Sequence, residues 1–299
     1  MVARARQWLA WAVRPPLRSK PAQLRTVLSI KRTGSFDQDL YLTRYPDVAA
    51  TGIDPVLHYV EVGAIEGRSP GPSAAGERDV EAAMKRDWDA RARGAAMHFV
   101  SSNRVDWDEA SFSESGRRNV ESLVAADLER ICRGEDPAAM RMLEIGCGIG
   151  RMTGHLADVF GEVHGVDVSG EMISRARRRL GHRSDVHLHE ISGSDLAPFG
   201  DGFFDFAFSF IVFQHVPEKA IVVSCIREVH RTLKPGGLFK FQVQGYPLAR
   251  SDPGEADTWV GVSFDADELR RIAAETGFTI SASEGEGTQY FWNWWLREK

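Results

Sequence analysis

The sequence predicts an α/β fold, a doubly wound seven-stranded sheet, and three observations predict it. From residue 139 onward, apolar runs of strand length alternate with segments whose apolar residues recur at helical spacing. The first run ends in a glycine-rich loop, "EIGCGIG" at 144–150, and the second ends in an acid, Asp167. The last two runs follow each other with no room for a helix between them, so they form an antiparallel hairpin at the sheet's end.

In order along the chain, strands are expected at 141–145, 163–167, 186–190, 204–210, 237–243, 278–284 and 288–294. Helices are expected at about 153–159, 171–180, 219–233 and 265–276, and the final hairpin is expected to turn across "GEG" at 285–287. Three segments precede this 139–299 domain. Residues 1–32 contain eight Arg or Lys and no acid, with Trp8, Leu9, Trp11 and Val13 among them. They read as a basic tail, cut by Pro15 and Pro16, or as an amphipathic anchor resting on an anionic membrane surface. Residues 33–72 read as a small helical module. Ser35 or Asp37 could cap its first helix, Pro55 suits a first helical turn, and Gly63 is a plausible stop. Residues 73–138 follow the "SPGPSAAG" linker as a helical cover. Within it "AAMHFVSSNRVDWDEASFSESGRR" lacks clear periodicity and reads as a long covering loop.

Composition narrows the function classes. The net charge of −5 gives no general case for nucleic-acid binding. Cys132, Cys147 and Cys225 are too dispersed for a disulfide framework or a metal cluster, which suits a reducing cytoplasm. No apolar run approaches membrane-spanning length.

The glycine loop lies at the carboxyl edge of the sheet, where open α/β sheets bind ligands. Gly146 and Gly148 allow close backbone approach, and Gly150 leaves room beside the following helix. Arg151 stands where the nicotinamide fingerprint has its third glycine, so that cofactor is disfavoured. Asp167 can accept hydrogen bonds from ribose hydroxyls, and Glu144 can hold an ammonium. A zwitterionic amino-acid tail tolerates that carboxylate better than a diphosphate would. Asp195 can receive an adenine amino proton while Leu196 covers the ring. Cys147 reads as a small loop filler rather than a nucleophile.

At "MLEIGCGIGRMTGHLA", "VHGVDVSGEMISRAR", "SDLAPFGDGFFDFAFSFIVFQHVP" and "EVHRTLKPGGLFKFQV" the chain resembles the class I S-adenosylmethionine-dependent methyltransferases. The resemblance implies a Rossmann-like sheet of order 3-2-1-4-5-7-6 with its last strand antiparallel. It implies S-adenosyl-L-methionine as cofactor, held by Glu144, Gly146, Cys147, Gly148 and Gly150 at its methionine part. Asp167 and Val168 would meet the ribose, Asp195 and Leu196 the adenine, and Ser209 and Phe210 would line the cofactor from the fourth strand.

Such methyl transfer is mainly positioning, but an alcohol must also lose a proton as it attacks. His215, just after the fourth strand, is the candidate base, with Gln214 beside it for acceptor or cofactor. His187 and His189 alternate along a strand and are poorer candidates; His230 reads as structural, and His98 could reach the pocket from the cover. Tyr246, Trp259, Phe99, Trp107 and Phe112 could wall an acceptor site, with Arg104, Asp106, Asp108 and Arg250 as polar contacts. No metal is expected, because Asp106, Asp108 and Asp252 form no compact pair.

"SFDQDLYLTRYPDVAATGIDPVLHYVEVGAIEGRSP" resembles a short module found beside bacterial glycosyltransferase and polysaccharide-processing domains. The expectation is therefore O-methylation of a saccharide, oligosaccharide or glycolipid, in the cytoplasm or at the membrane's inner face. An N- or C-methyltransferase of a small metabolite is the rival, and a non-catalytic scaffold a distant third. Nucleic acid is not expected as a partner, since no "PPY"-type loop follows strand four, where "IVFQ" stands. "YFWNWWLREK" could contribute to a homo-oligomer contact.

Overall fold

The structure is a computed structural model that describes residues 38, 41–42, 45–59, 77–101, 107–247 and 260–299. The basic segment 1–32, together with Ser35, Asp37, Gly63, Arg104, Asp106, Arg250, Asp252 and Trp259, lies outside the described residues. The chain divides into two compact units, Met1–Gly76 and Glu77–Lys299.

The first unit contains two single-turn helices, α1 (Pro46–Ala49) and α2 (Pro55–His58). Asp54 caps α2 by accepting from the Val56 and Leu57 amides, and Pro55 occupies its first turn. Tyr41, Val48 and Val56 are fully buried together, and the Tyr41 hydroxyl meets His58 Nδ1 at 3.0 Å.

The second unit opens with α3 (Glu77–Val100), broken at Ala95, where φ is −146° and ψ is 63°. After it come α4 (Glu109–Leu123), a 3₁₀ turn at Ala125–Asp127 and α5 (Leu128–Cys132). Much of the segment expected as a covering loop is thus helical. Asp108 caps α4 by accepting from the Ser111 amide, and Phe112, Gly116 and Val120 bury one face at four-residue spacing. The polar residues between them conceal that narrow stripe from a periodicity reading.

The sheet and its helices then alternate: β1 (Arg141–Ile145), α6 (Thr153–Leu156), β2 (Glu162–Asp167), α7 (Gly170–Leu180), β3 (Val186–Glu190), β4 (Phe204–Ser209), α8 (Lys219–Thr232), β5 (Leu233–Val243), α9 (Ala266–Thr276), β6 (Phe278–Glu284) and β7 (Phe291–Arg297). The strand order is β3-β2-β1-β4-β5-β7-β6, with β7 antiparallel to both neighbours and β1 to β5 pairing in parallel. This is the order and orientation that the resemblance implies.

The last strand departs in register. It begins at Phe291, three residues later than expected, because Thr288 rather than "GEG" closes the hairpin. The Thr288 amide and hydroxyl both donate to Gly285 O, and the Tyr290 amide donates to Thr288 Oγ1. Trp294 and Trp295 consequently bury on opposite sides of the sheet.

The sheet separates two apolar layers. Leu143 and Ile145 face the layer that holds Phe239, Phe241 and Trp295 with α8 and α9. Met142 faces the other layer, with Val163, Phe206, Phe208 and Trp294. Lys240, mid-way along β5, is 4% exposed within this second layer. Its ammonium donates to Leu123 O at 2.5 Å and to Asp127 Oδ2 at 2.9 Å, and it lies 4.7 Å from the Trp294 ring. The Trp294 indole donates to the same carboxylate oxygen at 2.5 Å. Burial lowers the lysine pKa, and the Asp127 carboxylate opposes that shift.

Among the described residues, no helix is long and apolar enough to cross a membrane.

Asp127→Ala leaves a buried ammonium and an indole N–H without their acceptor. The expected loss is about 3–5 kcal/mol of unfolding free energy, the cost of orphaning one member of a buried pair. Lys240→Met, which removes the charge itself, should cost less. Urea melts of both variants measure the difference, and equal losses would show that the ammonium does not depend on Asp127.

Candidate functional site

Because β1, β2 and β4 run in parallel, they deliver Ile145, Asp167 and Ser209 to the same edge of the sheet. The chain leaves β1 through Gly146–Gly148 and folds back on the end of β2. The Gly146 and Cys147 amides both donate to Val166 O, at 2.8 and 3.0 Å. The Gly148 amide donates to Asp167 Oδ2 at 2.9 Å, and the Ser169 amide donates to Oδ1 at 2.9 Å. Gly146 has φ +72°, and a Cβ there would lie 2.2 Å from Val212 Cγ2. Both its backbone conformation and its surroundings require glycine.

Ser169 then caps α7 through the Met172 amide and donates its hydroxyl to Asp89 Oδ1 at 2.6 Å. Asp89 also accepts from the Glu171 amide at 3.1 Å, so α3 is tied to the start of α7. This docking carries Met84, Trp88, Phe99 and Val100 over the sheet edge.

The cleft there is lined by Glu144, Gly146, Cys147, Gly148, Asp167 and Val168 on one side and by Phe210 to Phe213 and His215 on another. Glu144 is 5% exposed and accepts from Thr153 Oγ1 at 2.6 Å. Burial pushes its carboxyl up to about 7, the Thr153 hydrogen bond and Arg151 opposing the shift and Asp167 adding to it. Burial likewise pushes Asp167 up to about 6, against the amides of Ser169 and Gly148. The Cys147 thiol is raised well above its ordinary value, by burial and then by Asp167 and Glu144, so it is no thiolate nucleophile at neutral pH.

His215 ends a 3₁₀ turn at Phe213–His215 and is 8% exposed. Its ring meets Trp88 edge-on at 5.5 Å, and its Nε2 lies 3.3 Å from Gln214 Nε2. Gln214 is held from behind, accepting at Oε1 from Gln242 Nε2 at 3.2 Å. Gln242 Oε1 accepts from the Ile211 amide at 3.0 Å. Ile211 has φ +57°, a costly conformation for a β-branched residue, and the Gln242 contact helps fix it.

Several residues singled out in the sequence stand elsewhere. Ser209 is fully buried behind the wall, and Gly150 packs towards Leu180 of α7. Leu196 is buried in the apolar layer, its amide donating to Glu228. Asp195 does not line the cavity; it accepts from Ser192 Oγ and the Ala197 amide and so shapes the loop from which Ile191 and Gly193 reach the site. Trp107 donates to Ser101 O and packs on Phe112, while His98 packs on Phe99, one residue from the lining. Tyr246 is 41% exposed at the end of the sheet. Trp88, Arg151, Ile211, Val212 and Gln242 were not read from the sequence as site residues. Trp88 alone carried a signal, a large aromatic in an otherwise polar helical segment.

Residues 143–241 match a family model described as a methyltransferase domain. The chain is 33% identical over 157 residues to phosphoethanolamine N-methyltransferase 2 of Caenorhabditis elegans, a match covering 50% of this chain and 35% of that one. A 65-residue stretch is 43% identical to dTDP-3-amino-3,6-dideoxy-alpha-D-glucopyranose N,N-dimethyltransferase of Streptomyces fradiae, covering 22% and 24% of the two chains. The chain thus spans about a third and about a quarter of these curated relatives. Other relatives bear the names of O- and C-methyltransferases. The fold is shared with magnesium protoporphyrin IX methyltransferase of Synechocystis PCC 6803, at a TM-score of 0.55 and 17% identity, over 74% of this chain and 100% of that one.

Gly146→Ala should lose about 1–3 kcal/mol, combining left-handed strain with displacement of Val212. Gly287→Ala has φ +74° but open space around it, so it should lose only the strain part. Parallel urea melts measure the contrast; equal losses would show that the loop does not press on Val212.

Proposed function

We propose that the protein transfers the methyl group of S-adenosylmethionine to a hydroxyl of a saccharide, oligosaccharide or glycolipid, with His215 as general base. The observation that carries this reading is the convergence of Glu144, Asp167 and His215 on one largely apolar cleft. The residues fit the donor: the glycine loop leaves bare backbone along the wall, and the buried Glu144 and half-buried Asp167 carboxylates stand near it. When bound, that donor supplies a methyl group activated by a positively charged sulfur. Glu144 would hold the ammonium of the amino-acid tail, and Asp167 would accept from the ribose hydroxyls. Ile191 and Gly193 border the adenine end, and Asp195 supports their loop. Phe210 and Val212 exclude water and help to fix the direction of approach. His215 would take the proton of the acceptor hydroxyl as the methyl carbon exchanges its bond to sulfur for one to that oxygen, leaving a neutral thioether. Gln214 lies beside the ring and orients it.

The saccharide acceptor is supported by the resemblance of the 35–70 stretch to modules beside polysaccharide-processing domains. It is also supported by relatives named as amino-sugar dimethyltransferases in Streptomyces fradiae and Streptomyces venezuelae. Those same names favour one second reading, methylation of an amine, in which His215 would remove the ammonium proton. Labelled-methyl transfer to a panel of saccharides, amino sugars, glycolipids and small amines separates the two readings. Transfer to none of them would defeat both.

Asp167→Ala should weaken donor uptake about tenfold or more, since charge-assisted hydrogen bonds are worth about 1.5–3 kcal/mol. His215→Ala should lower kcat by about 10²–10⁴ while leaving uptake unchanged. Isothermal titration and single-turnover assays report the two separately, and equal loss of uptake in both variants would remove the base assignment.

The pH dependence has a definite sign. Glu144 and Asp167 have raised pKa values, near 7 and 6, so the free protein holds their protons up to those values. A ligand that needs the ionised carboxylates must release those protons. Affinity for S-adenosylhomocysteine should therefore rise between about pH 5.5 and 7, by up to about tenfold per unit for each proton released, and then flatten. Glu144→Gln should remove the upper part of that slope. Calorimetry across pH measures this, and a flat wild-type profile would contradict the linkage.

A further inference from the structure

At the opposite end of β2 from Asp167, the pleat and the register collect four ligating side chains on one face of the sheet. Glu162 and His164 lie two residues apart on β2, and His187 and His189 two apart on β3. The strands pair His164 directly with His187. The His164 and His187 rings stack at 4.7 Å, and those of His164 and His189 at 5.5 Å. Phe199, Phe203 and Phe204 close around His164 edge-on.

Glu162 Oε1 stands 2.7 Å from His164 Nε2 and 3.5 Å from His187 Nε2, and the three donor atoms lie within 4.8 Å of one another. Two donors bound about 2.1 Å from one tetrahedral ion would stand roughly 3.4 Å apart, so little movement is needed. The remaining groups complete the arrangement. Arg141 Nε donates to Glu162 Oε2 at 2.8 Å, which leaves Oε1 for an ion. His164 Nδ1 lies 3.3 Å from His189 Nε2, an outer hydrogen bond that would fix the ligating tautomer. His187 is 42% exposed, which gives an ion an entry path from solvent.

We propose that Glu162, His164 and His187 form a binding site for a divalent transition-metal ion of the zinc, nickel or cobalt kind, oriented by His189 and Arg141. Two imidazoles and one carboxylate favour such ions over magnesium or calcium, which prefer all-oxygen shells. The site fastens edge strand β3 to β2 at the sheet edge remote from the glycine loop. It therefore acts on stability and plays no part in the transfer chemistry.

The test uses untagged full-length protein, purified with chelator, and titrates it with Co²⁺ and then Zn²⁺. The expected result is one equivalent of Co²⁺ with visible ligand-field absorption, displaced by Zn²⁺ and not by Mg²⁺. Zn²⁺ should also raise the melting temperature. His187→Ala, a partly exposed change, should weaken binding at least tenfold and abolish the Zn²⁺-induced shift, with Glu162→Gln as a second variant of different chemistry. His230→Ala, on α8, should bind as wild type does. No uptake at 100-fold metal excess, or uptake unchanged in both site variants, overturns the proposal and leaves the cluster as a histidine stack held by Glu162 alone.

Discussion

The carboxylate of Asp167, gripping backbone on both sides, is the constraint from which the site follows. One oxygen takes the Gly148 amide and the other takes the Ser169 amide. The loop after β1 and the helix start after β2 are thereby fixed to a single side chain. Through Ser169 and Asp89 the same chain of hydrogen bonds reaches α3 and sets the lid over the sheet edge. A half-buried carboxylate would be costly without such donors. Here the backbone supplies them, and the remaining desolvation appears as its raised pKa. The group that positions the loop is thus also a titratable one with a raised pKa.

The sheet was legible in the sequence because its signals are local. β1 to β4 are short apolar runs bounded by glycine or acid, and each lies within a residue of its expected place. The glycine loop was legible for the same reason: Gly146 and Gly148 answer a steric demand that few other residues meet. The end of the hairpin was not, because the choice between "GEG" and a longer turn rests on the Thr288 hydroxyl, which composition does not reveal. The cover's helices were missed because α4 buries a single narrow line of residues, one of them a glycine.

The site was legible in outline only. Glu144, Asp167 and His215 meet at the cavity as their positions at strand ends suggested. Asp195 and Leu196 are near in sequence to the lining residues Ile191 and Gly193, but the chain turns Leu196 into the core. Gln242 could not have been found from its own neighbourhood. Its two amide ends reach Ile211 and Gln214, about thirty residues earlier, and only the pairing of β4 with β5 brings them together. The strained Ile211 is likewise visible only once the backbone is known.

The polar knot of Lys240, Asp127 and Trp294 has a consequence for biosynthesis. Asp127 lies just before the first strand, whereas its indole partner belongs to the last, 167 residues further along. Until the ribosome has produced residue 240 that carboxylate has neither of these native donors, and until residue 294 it still lacks the indole. The aromatic layer beneath α4 can therefore close only after Trp294 has emerged from the exit tunnel. Until then the nascent polypeptide must keep that half-built surface from sticking to its neighbours.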